Sequence, residues 1–366
     1  MNAITKNATV KIKRCEKLPP VHFTPHPLFG AVFAPHILRM NLHLDGTNDF
    51  NAEIKPLEDE PFSPTSSVLH YGQSIFEGMK AFRQKDGRVG VFRADKHATR
   101  FRNSARRMVM ADVPEDVFLK CIQEYTAFVA DNVPSEPDHS LYLRPLLIAA
   151  DHKIKVGAAQ SYIFYIMSSI AGGYFGGAKP KRARVMVNRQ FVRAYPGGLG
   201  EAKTAANYAA SIWPQRLAAQ RECDQVLYLD ALHHDFIDEL GGMNFFAVRG
   251  KELLTPVLNG CILDGVTRRS LLEVAPALGL KPVETQLSFT DLRKQIQTGK
   301  ITETFACGTA AVVSPIGEFL FQDTLEAQPE LISLPEQNPA TQQLLSHLKG
   351  IQHGEIKAPG NWILHV

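Results

Sequence analysis

The sequence predicts a mixed α+β fold in two domains, and three observations carry that expectation. Helical periodicity and strand-like runs alternate along all 366 residues. Two nearly uninterrupted apolar runs, SLYLRPLLIAA and SYIFYIMSSIA, read as buried strands because they are β-branched and aromatic. Between the halves lies GGYFGGAKPKRA, residues 172–183, whose glycines, proline and basic residues fit no regular element. The expected division is a small N-terminal α/β domain over 1–174, a linker over 175–186 and a larger C-terminal α/β domain over 187–366.

The elements are expected in this order. The first sixty residues are rich in Pro and polar turns, with short β-like pieces such as 31–33. A strand-turn-strand follows over 80–93, because Asp86-Gly87 between apolar runs is a hairpin signal. One helix is expected over 95–110 and a second over 115–132, with Pro114 near its first turn. Beyond the two buried strands, ARVMVNR and QVLYLD read as strands and SIWPQRLAAQREC as a helix. TRRSLLEVAPAL, FTDLRKQIQ and NPATQQLLSHLKG read as further helices, the last capped by Asn338 with Pro339 at its first position.

Composition excludes several function classes. Lys plus Arg number 40 against 37 Asp plus Glu, too balanced for a protein that binds nucleic acid by neutralising phosphates. The five cysteines, Cys15, Cys121, Cys223, Cys261 and Cys307, form no CxxC pair, which argues against disulfides or structural zinc. The histidines show no HExxH spacing, so no catalytic metal is expected. No apolar core follows the N-terminal basic residues, and the uncharged stretch 162–175 is too short and too polar to span a bilayer. A cytoplasmic location and no membrane partner are expected.

Four segments could carry chemistry. In YPGGLGEAKTAANYAAS (195–211), Lys203 stands among glycines and alanines, leaving space beside its amine for a planar ligand bonded to it. Taken alone, a surface loop containing a lysine is the stronger reading. GLGEAK imitates a dinucleotide-binding loop, but no strand directly precedes it and the third Gly is absent. In HDFIDELGGMNFFAV (234–248), Glu239 lies between a polar turn and an apolar tail, where a buried carboxylate needs a cation. Alone, a turn-capping or solvated carboxylate is the better reading, and Asp238 is a competitor. GVTRRSLLEV and CGTAAVVSP look like two helix starts, with Thr267 and Thr309 able to add hydroxyls to amides that suit a phosphate, although ordinary capping explains both. Arg100, Arg102, Arg106 and Arg107 fall on several faces of one helix, whereas Arg144 interrupts an apolar strand and calls for a partner or ligand. Arg193 lies ten residues before Lys203. A lysine in a small-residue loop, a later carboxylate and two phosphate-suited turns together describe one ligand, an aromatic aldehyde phosphate.

On six ordered blocks the chain resembles the branched-chain amino acid aminotransferases, a group of fold-type IV pyridoxal-phosphate enzymes. The blocks are LHYGQSIFEGMKAFR (69–83), SLYLRPLLI (140–148), FVRAYPGGLGEAKTAANYAAS (191–211), DELGGMNFF (238–246), NGCILDGVTRRSLL (259–272) and FACGTAAVVSP (305–315). The resemblance runs from about residue 25 onward. It implies the two-domain fold-type IV architecture and a homodimer whose partner subunit completes the active site.

The resemblance also implies roles. Lys203 would bind the cofactor aldehyde, Glu239 would pair with the pyridine nitrogen, and Tyr208 would bond the ring hydroxyl. Arg100 would hold the phosphate, with Val266, Thr267 and Thr309 as further donors and Arg193 as another cofactor contact. Phe76, Tyr142 and Tyr174 would form an apolar substrate pocket, joined by Tyr71, Ile154 and Val156 of a second copy. The 2-carboxylate would meet Thr309-Ala310, and Arg144 would take the distal carboxylate of glutamate or 2-oxoglutarate. The implied reaction is reversible amino transfer between leucine, isoleucine or valine and 2-oxoglutarate. D-Amino-acid aminotransferases and aminodeoxychorismate lyases share the lysine and glutamate and are the alternatives. Two departures stand out. Mammalian relatives carry a CxxC pair where this chain has Ala311 and Ser314, so thiol regulation of that kind is not expected. They also have Thr where this chain has Gly242.

Overall fold

The computed structural model describes every residue except 1–8, 25–26, 59–61, 137 and 173–181. The chain groups into two compact units, Met1–Gly176 with Ala202–Ala205 and Gln352–Val366, and Gly177–Glu201 with Ala206–Ile351.

The first unit runs β1 (Lys11–Arg14), β2 (His36–His43), β3 (Asn51–Pro56), α1 (Ser67–Tyr71), β4 (Ser74–Phe76), β5 (Met79–Arg83) and β6 (Val89–Phe92). Helices α2 (Ala94–Arg107) and α3 (Glu115–Phe128) precede the long strands β7 (Ser140–Ala149) and β8 (Ser161–Ala171). One sheet runs β1-β3-β2-β8-β7-β5-β6, with β4 pairing β7; β1–β3 is parallel and the other pairs are antiparallel. Strand alternation sends successive residues of β7 and β8 to opposite faces of the sheet. Leu141, Leu143, Leu147, Tyr162, Phe164 and Ile166 join α2 and α3 in the main core, and Phe101, Phe118 and Phe164 meet as an aromatic trio. The alternate residues Ile148, Ile163 and Tyr165 build a second cluster on the other face. Both faces are covered, so the strands are buried although their pairing is antiparallel.

The chain continues through β9 (Ala183–Asn188), α4 (Ala205–Ala209), α5 (Ile212–Gln220), β10 (Gln225–Leu229), β11 (Ile237–Leu240), β12 (Asn244–Arg249) and β13 (Glu252–Pro256). Then come α6 (Val266–Val274), β14 (Lys281–Thr285), α7 (Phe289–Gln297), β15 (Glu303–Gly308), β16 (Val312–Gln322), β17 (Glu330–Ser333) and α8 (Pro339–Gln352). The second sheet is mixed, in the order β11-β10-β9-β16-β15-β12-β13-β14 with β17 on β16. Its core packs Leu227, Phe245, Phe289, Leu292 and Phe319.

Several expectations are corrected. The Pro-rich start holds two full strands, β2 and β3. The domain division also differs, because β18 (Ile363–His365) returns to pair antiparallel with β6 and so belongs to the first unit. The far end of the expected linker is strand β9, paired in parallel with β16. Asn338 does not cap α8 through its side chain, whose Oδ1 is buried with no hydrogen-bond partner among the described residues. The Glu303 carboxylate caps that helix instead, accepting from the amides of Ala340 (3.1 Å) and Thr341 (2.8 Å).

Candidate active site

Lys203 is fixed through its backbone. Its carbonyl accepts from the amide of Phe76 (3.0 Å), and its amide donates to Ser104 Oγ of α2 (2.9 Å). Thr204 bridges Ile75 as an antiparallel partner, and its hydroxyl donates to the Ser74 carbonyl (2.8 Å). The loop around Lys203 therefore extends β4, which is why Ala202–Ala205 groups with the first unit. The side chain lies with Nζ 4.7 Å from the Phe76 ring centre.

The same ring receives a second cation. The Arg144 guanidinium carbon stands 4.6 Å from the Phe76 centroid and 5.3 Å from that of Tyr142. Arg144 Nη2 donates to the Tyr142 hydroxyl (3.1 Å), while its Nε is buried with no hydrogen-bond partner among the described residues. Tyr142 and Arg144 are two apart on β7 and share the face away from α2 and α3. Gly78 makes the tyrosine's position possible, since a Cβ there would lie 1.8 Å from its hydroxyl oxygen. The structure thus brings together Lys203, Phe76, Tyr142 and Arg144. Tyr71, Ile154 and Val156 are exposed on the first unit, and Tyr174 lies outside the described residues.

Of the four arginines on α2, Arg100 turns inward; Arg102 pairs with Asp112, and Arg106 and Arg107 are exposed. Arg100 grips Glu77 with two parallel bonds, Nε to Oε1 at 2.7 Å and Nη2 to Oε2 at 2.8 Å. His97 Nδ1 lies 2.6 Å from Oε2, and the Gly78 amide donates there too (3.2 Å). Burial pushes the Glu77 carboxyl up, but Arg100 and His97 outweigh it and hold it well below the usual carboxylate range. Burial pushes the His97 imidazole down, against the pull of Glu77. A carboxylate only accepts, so the His97 proton is assigned to Nδ1. Glu77 and His97 were missed from the sequence. A charge inside the apolar run SIFEGMKAF was the available signal, the same one that singled out Arg144.

In the second unit, Glu239 is buried on β11. Its Oε1 meets Arg193 Nη2 (2.6 Å) and the Leu263 amide (3.1 Å), and its Oε2 accepts from Asn244 Nδ2 (2.8 Å). Arg193 also donates to the carbonyls of Gly200 (3.0 Å) and Cys261 (2.5 Å). Gly200 must lack a side chain, because a Cβ would lie 2.4 Å from the Cys261 oxygen. Asp238, the competitor, has Asn259 Nδ2 at 3.3 Å from Oδ1 and no partner at Oδ2 among the described residues, and burial pushes its carboxyl up to about 6. Among the two, Glu239 is the carboxylate whose charge is balanced.

Val266 and Thr267 are buried in the first turn of α6, after an uncapped Gly265. Their amides end that helix at its positive pole. Thr309 does not start a helix, contrary to expectation. Gly308 pairs with Val312, so Thr309–Ala311 are the turn of the β15–β16 hairpin, and any donors there are turn amides without a helix dipole. Tyr208 is half-buried at the end of α4, and a Cβ on Gly242 would sit 3.8 Å from its ring. A separate cavity of about 390 Å³ is lined by Pro196, Leu232, Phe236, Val257, Asn259 and Cys261; neither Lys203 nor Glu239 borders it. No helix among the described residues is long and apolar enough to cross a membrane.

Each unit holds groups of the kind that pyridoxal phosphate takes: in the first, an amine on an apolar ring and a forked guanidinium; in the second, a helix start with buried Thr267 and a balanced buried carboxylate. Comparison with known proteins agrees. The class IV amino-transferase family model matches residues 74–319. A probable branched-chain-amino-acid aminotransferase of Streptomyces coelicolor is 41% identical over 92% of each chain. The crystal structure of the Escherichia coli branched-chain amino acid aminotransferase aligns with TM-score 0.70 and 26% identity, covering 85% of this chain and 96% of that one. The Thermobaculum terrenum enzyme in its PLP form shares the fold at TM-score 0.72 and 21% identity, covering 90% and 98%.

Proposed function

This chain belongs to the class IV amino-transferase family, and from that premise we propose that it transfers amino groups reversibly between L-leucine, L-isoleucine or L-valine and 2-oxoglutarate, giving branched 2-oxo acids and L-glutamate. It is a pyridoxal-phosphate-dependent aminotransferase. One observation carries the substrate assignment: the Lys203 amine and the Arg144 guanidinium stand against the same Phe76 ring. An apolar side chain would lie on Phe76 and Tyr142, while the distal carboxylate of 2-oxoglutarate would find Arg144 and its unpartnered Nε.

Bound there, the cofactor supplies an aldehyde that condenses with amines and a protonated ring that draws electron density from the substrate Cα. The rest falls to this chain's side chains. Lys203 would hold the cofactor through its amine, and the same amine would take the substrate Cα proton and give it back. Glu239 would face the ring nitrogen, and Arg193, whose Nη2 lies 2.6 Å from Oε1, would hold that carboxylate in place. That partnership accounts for Arg193 better than direct contact with the cofactor. Tyr208 would bond the ring hydroxyl. Arg100, Val266, Thr267 and Thr309 would hold the phosphate, and the Thr309-Ala310 turn the 2-carboxylate.

A homodimer completes this proposal, with Tyr71, Ile154 and Val156 lent by a second copy and Tyr174 as a member of the apolar pocket; exposure on the first unit supports the loan of the first three. The enzyme is proposed to work in the cytoplasm. A steady-state assay with L-leucine and D-alanine as rival donors tests the assignment. A clear preference for L-leucine is expected, and a preference for D-alanine would transfer the chain to the D-amino-acid branch.

A further inference from the structure

We infer that Glu77, with His97 behind it, is a positioning residue that sets the direction in which Arg100 presents its guanidinium to the cofactor phosphate. The inference rests on the proposed role of Arg100.

The geometry is specific. A guanidinium is planar and its donors are fixed in direction. Glu77 takes the edge formed by Nε and Nη2, and so fixes where the opposite edge points. Glu77 is itself held, since His97 Nδ1 and the Gly78 amide fill the remaining positions on Oε2. Each member comes from a segment that also serves Lys203. Glu77 follows Phe76, whose amide bonds the Lys203 carbonyl and whose ring lies under its amine. His97, Arg100 and Ser104 form one stripe along α2, and Ser104 holds the Lys203 amide.

Stability alone does not call for this arrangement. Glu77 is fully buried and Arg100 nearly so, and such pairs often gain nothing over apolar packing because desolvation offsets their attraction. Electrostatics alone would forbid it, because a carboxylate beside Arg100 repels phosphate. The arrangement makes sense if a fixed fork is worth more than the attraction lost. Those two effects predict opposite signs, which makes the inference testable.

The test titrates the full chain, freed of cofactor, with pyridoxal 5'-phosphate and with pyridoxal, which lacks the phosphate. Glu77→Gln should weaken the phosphorylated ligand on the order of 10-fold to 100-fold, the range of a lost charge-assisted hydrogen bond, while pyridoxal changes little. Arg100→Ala should show the same selective loss, and the double variant should be no worse than Arg100→Ala. His97→Gln, which leaves the ion pair in place, should give a smaller loss of the same selectivity and serves if Glu77→Gln does not fold. Tighter phosphate binding in Glu77→Gln, equal losses for both ligands, or additive losses in the double variant would each overturn the inference. If Arg100→Ala keeps its preference for the phosphorylated ligand, the assignment of Arg100 fails and takes the inference with it. If Arg100→Ala loses that preference while Glu77→Gln and His97→Gln keep it, the inference alone fails.

Discussion

Glu77 in the first unit and Glu239 in the second are both buried carboxylates gripped by an arginine, yet their donors are arranged differently. Both oxygens of Glu77 face the guanidinium of Arg100, and His97 and Gly78 fill what is left. Glu239 divides its oxygens, Arg193 and the Leu263 amide on one and Asn244 on the other. A carboxylate with both oxygens on one guanidinium would fix that guanidinium's direction, whereas one whose oxygens are divided between a cation and neutral donors fixes no single partner. The lesson is that burial and an arginine partner do not define a role; the distribution of donors over the two oxygens does.

The largest expected effect removes the chemistry that both would serve. Lys203→Ala should cost at least about a thousandfold in turnover and abolish the visible absorbance of bound cofactor. Retained activity would dissolve the comparison. Next, Glu239→Gln should bind cofactor but slow the half-reaction with L-leucine on the order of a hundredfold in stopped-flow absorbance. Glu77→Gln should show the converse, with weak cofactor retention and a nearly normal half-reaction once saturated. Identical profiles would mean the two carboxylates do the same work.

A third, smaller effect separates substrates. Arg144→Ala should lower kcat/KM for 2-oxoglutarate about 10-fold to 100-fold and leave L-leucine nearly untouched, since only the former brings a carboxylate to that guanidinium. Parallel losses would reject the shared-ring arrangement on Phe76. The smallest effect concerns Asp238, the buried carboxyl with no arginine grip. Its pKa is raised to about 6 from an ordinary 3.8, so the native state binds the extra proton between those values. Stability therefore falls as pH rises through that window, and the penalty is complete above it. Asp238→Asn should relieve on the order of 2 kcal/mol near pH 8 and little near pH 4, read as a pH-dependent rise in Tm. A rise of the same size at both pH values would contradict the assignment.

Legibility in the sequence followed the strength of local pattern. β7 and β8 stood out as long apolar runs, and α2, α3, α6, α7 and α8 as periodic or capped segments. β2 and β3 were hidden because prolines and polar turns surround them, although the alternating burial of NAEIKP shows a period of two. Thr309 misled because Gly-Thr-Ala-Ala resembles a helix start, whereas the register of β15 with β16 turns the chain there; no local signal carries a distant partner strand. The cap on α8 was invisible for the same reason, since Glu303 lies far from it in sequence. Lys203 and Glu239 stand out from their local setting as candidates, and the resemblance supplies their roles. What the sequence withheld was their company: Ser104 behind the lysine, Arg193 on the glutamate and Glu77 on Arg100.

The return of Ile363–His365 to the edge of β6 has a consequence for how the molecule is made. On the ribosome, β6 emerges early with one row of backbone amides and carbonyls exposed, and its covering strand is translated only after the whole second unit. Through that interval the nascent first unit carries a bare edge open to pairing with other chains, which makes synthesis the window in which chaperones matter most for this fold.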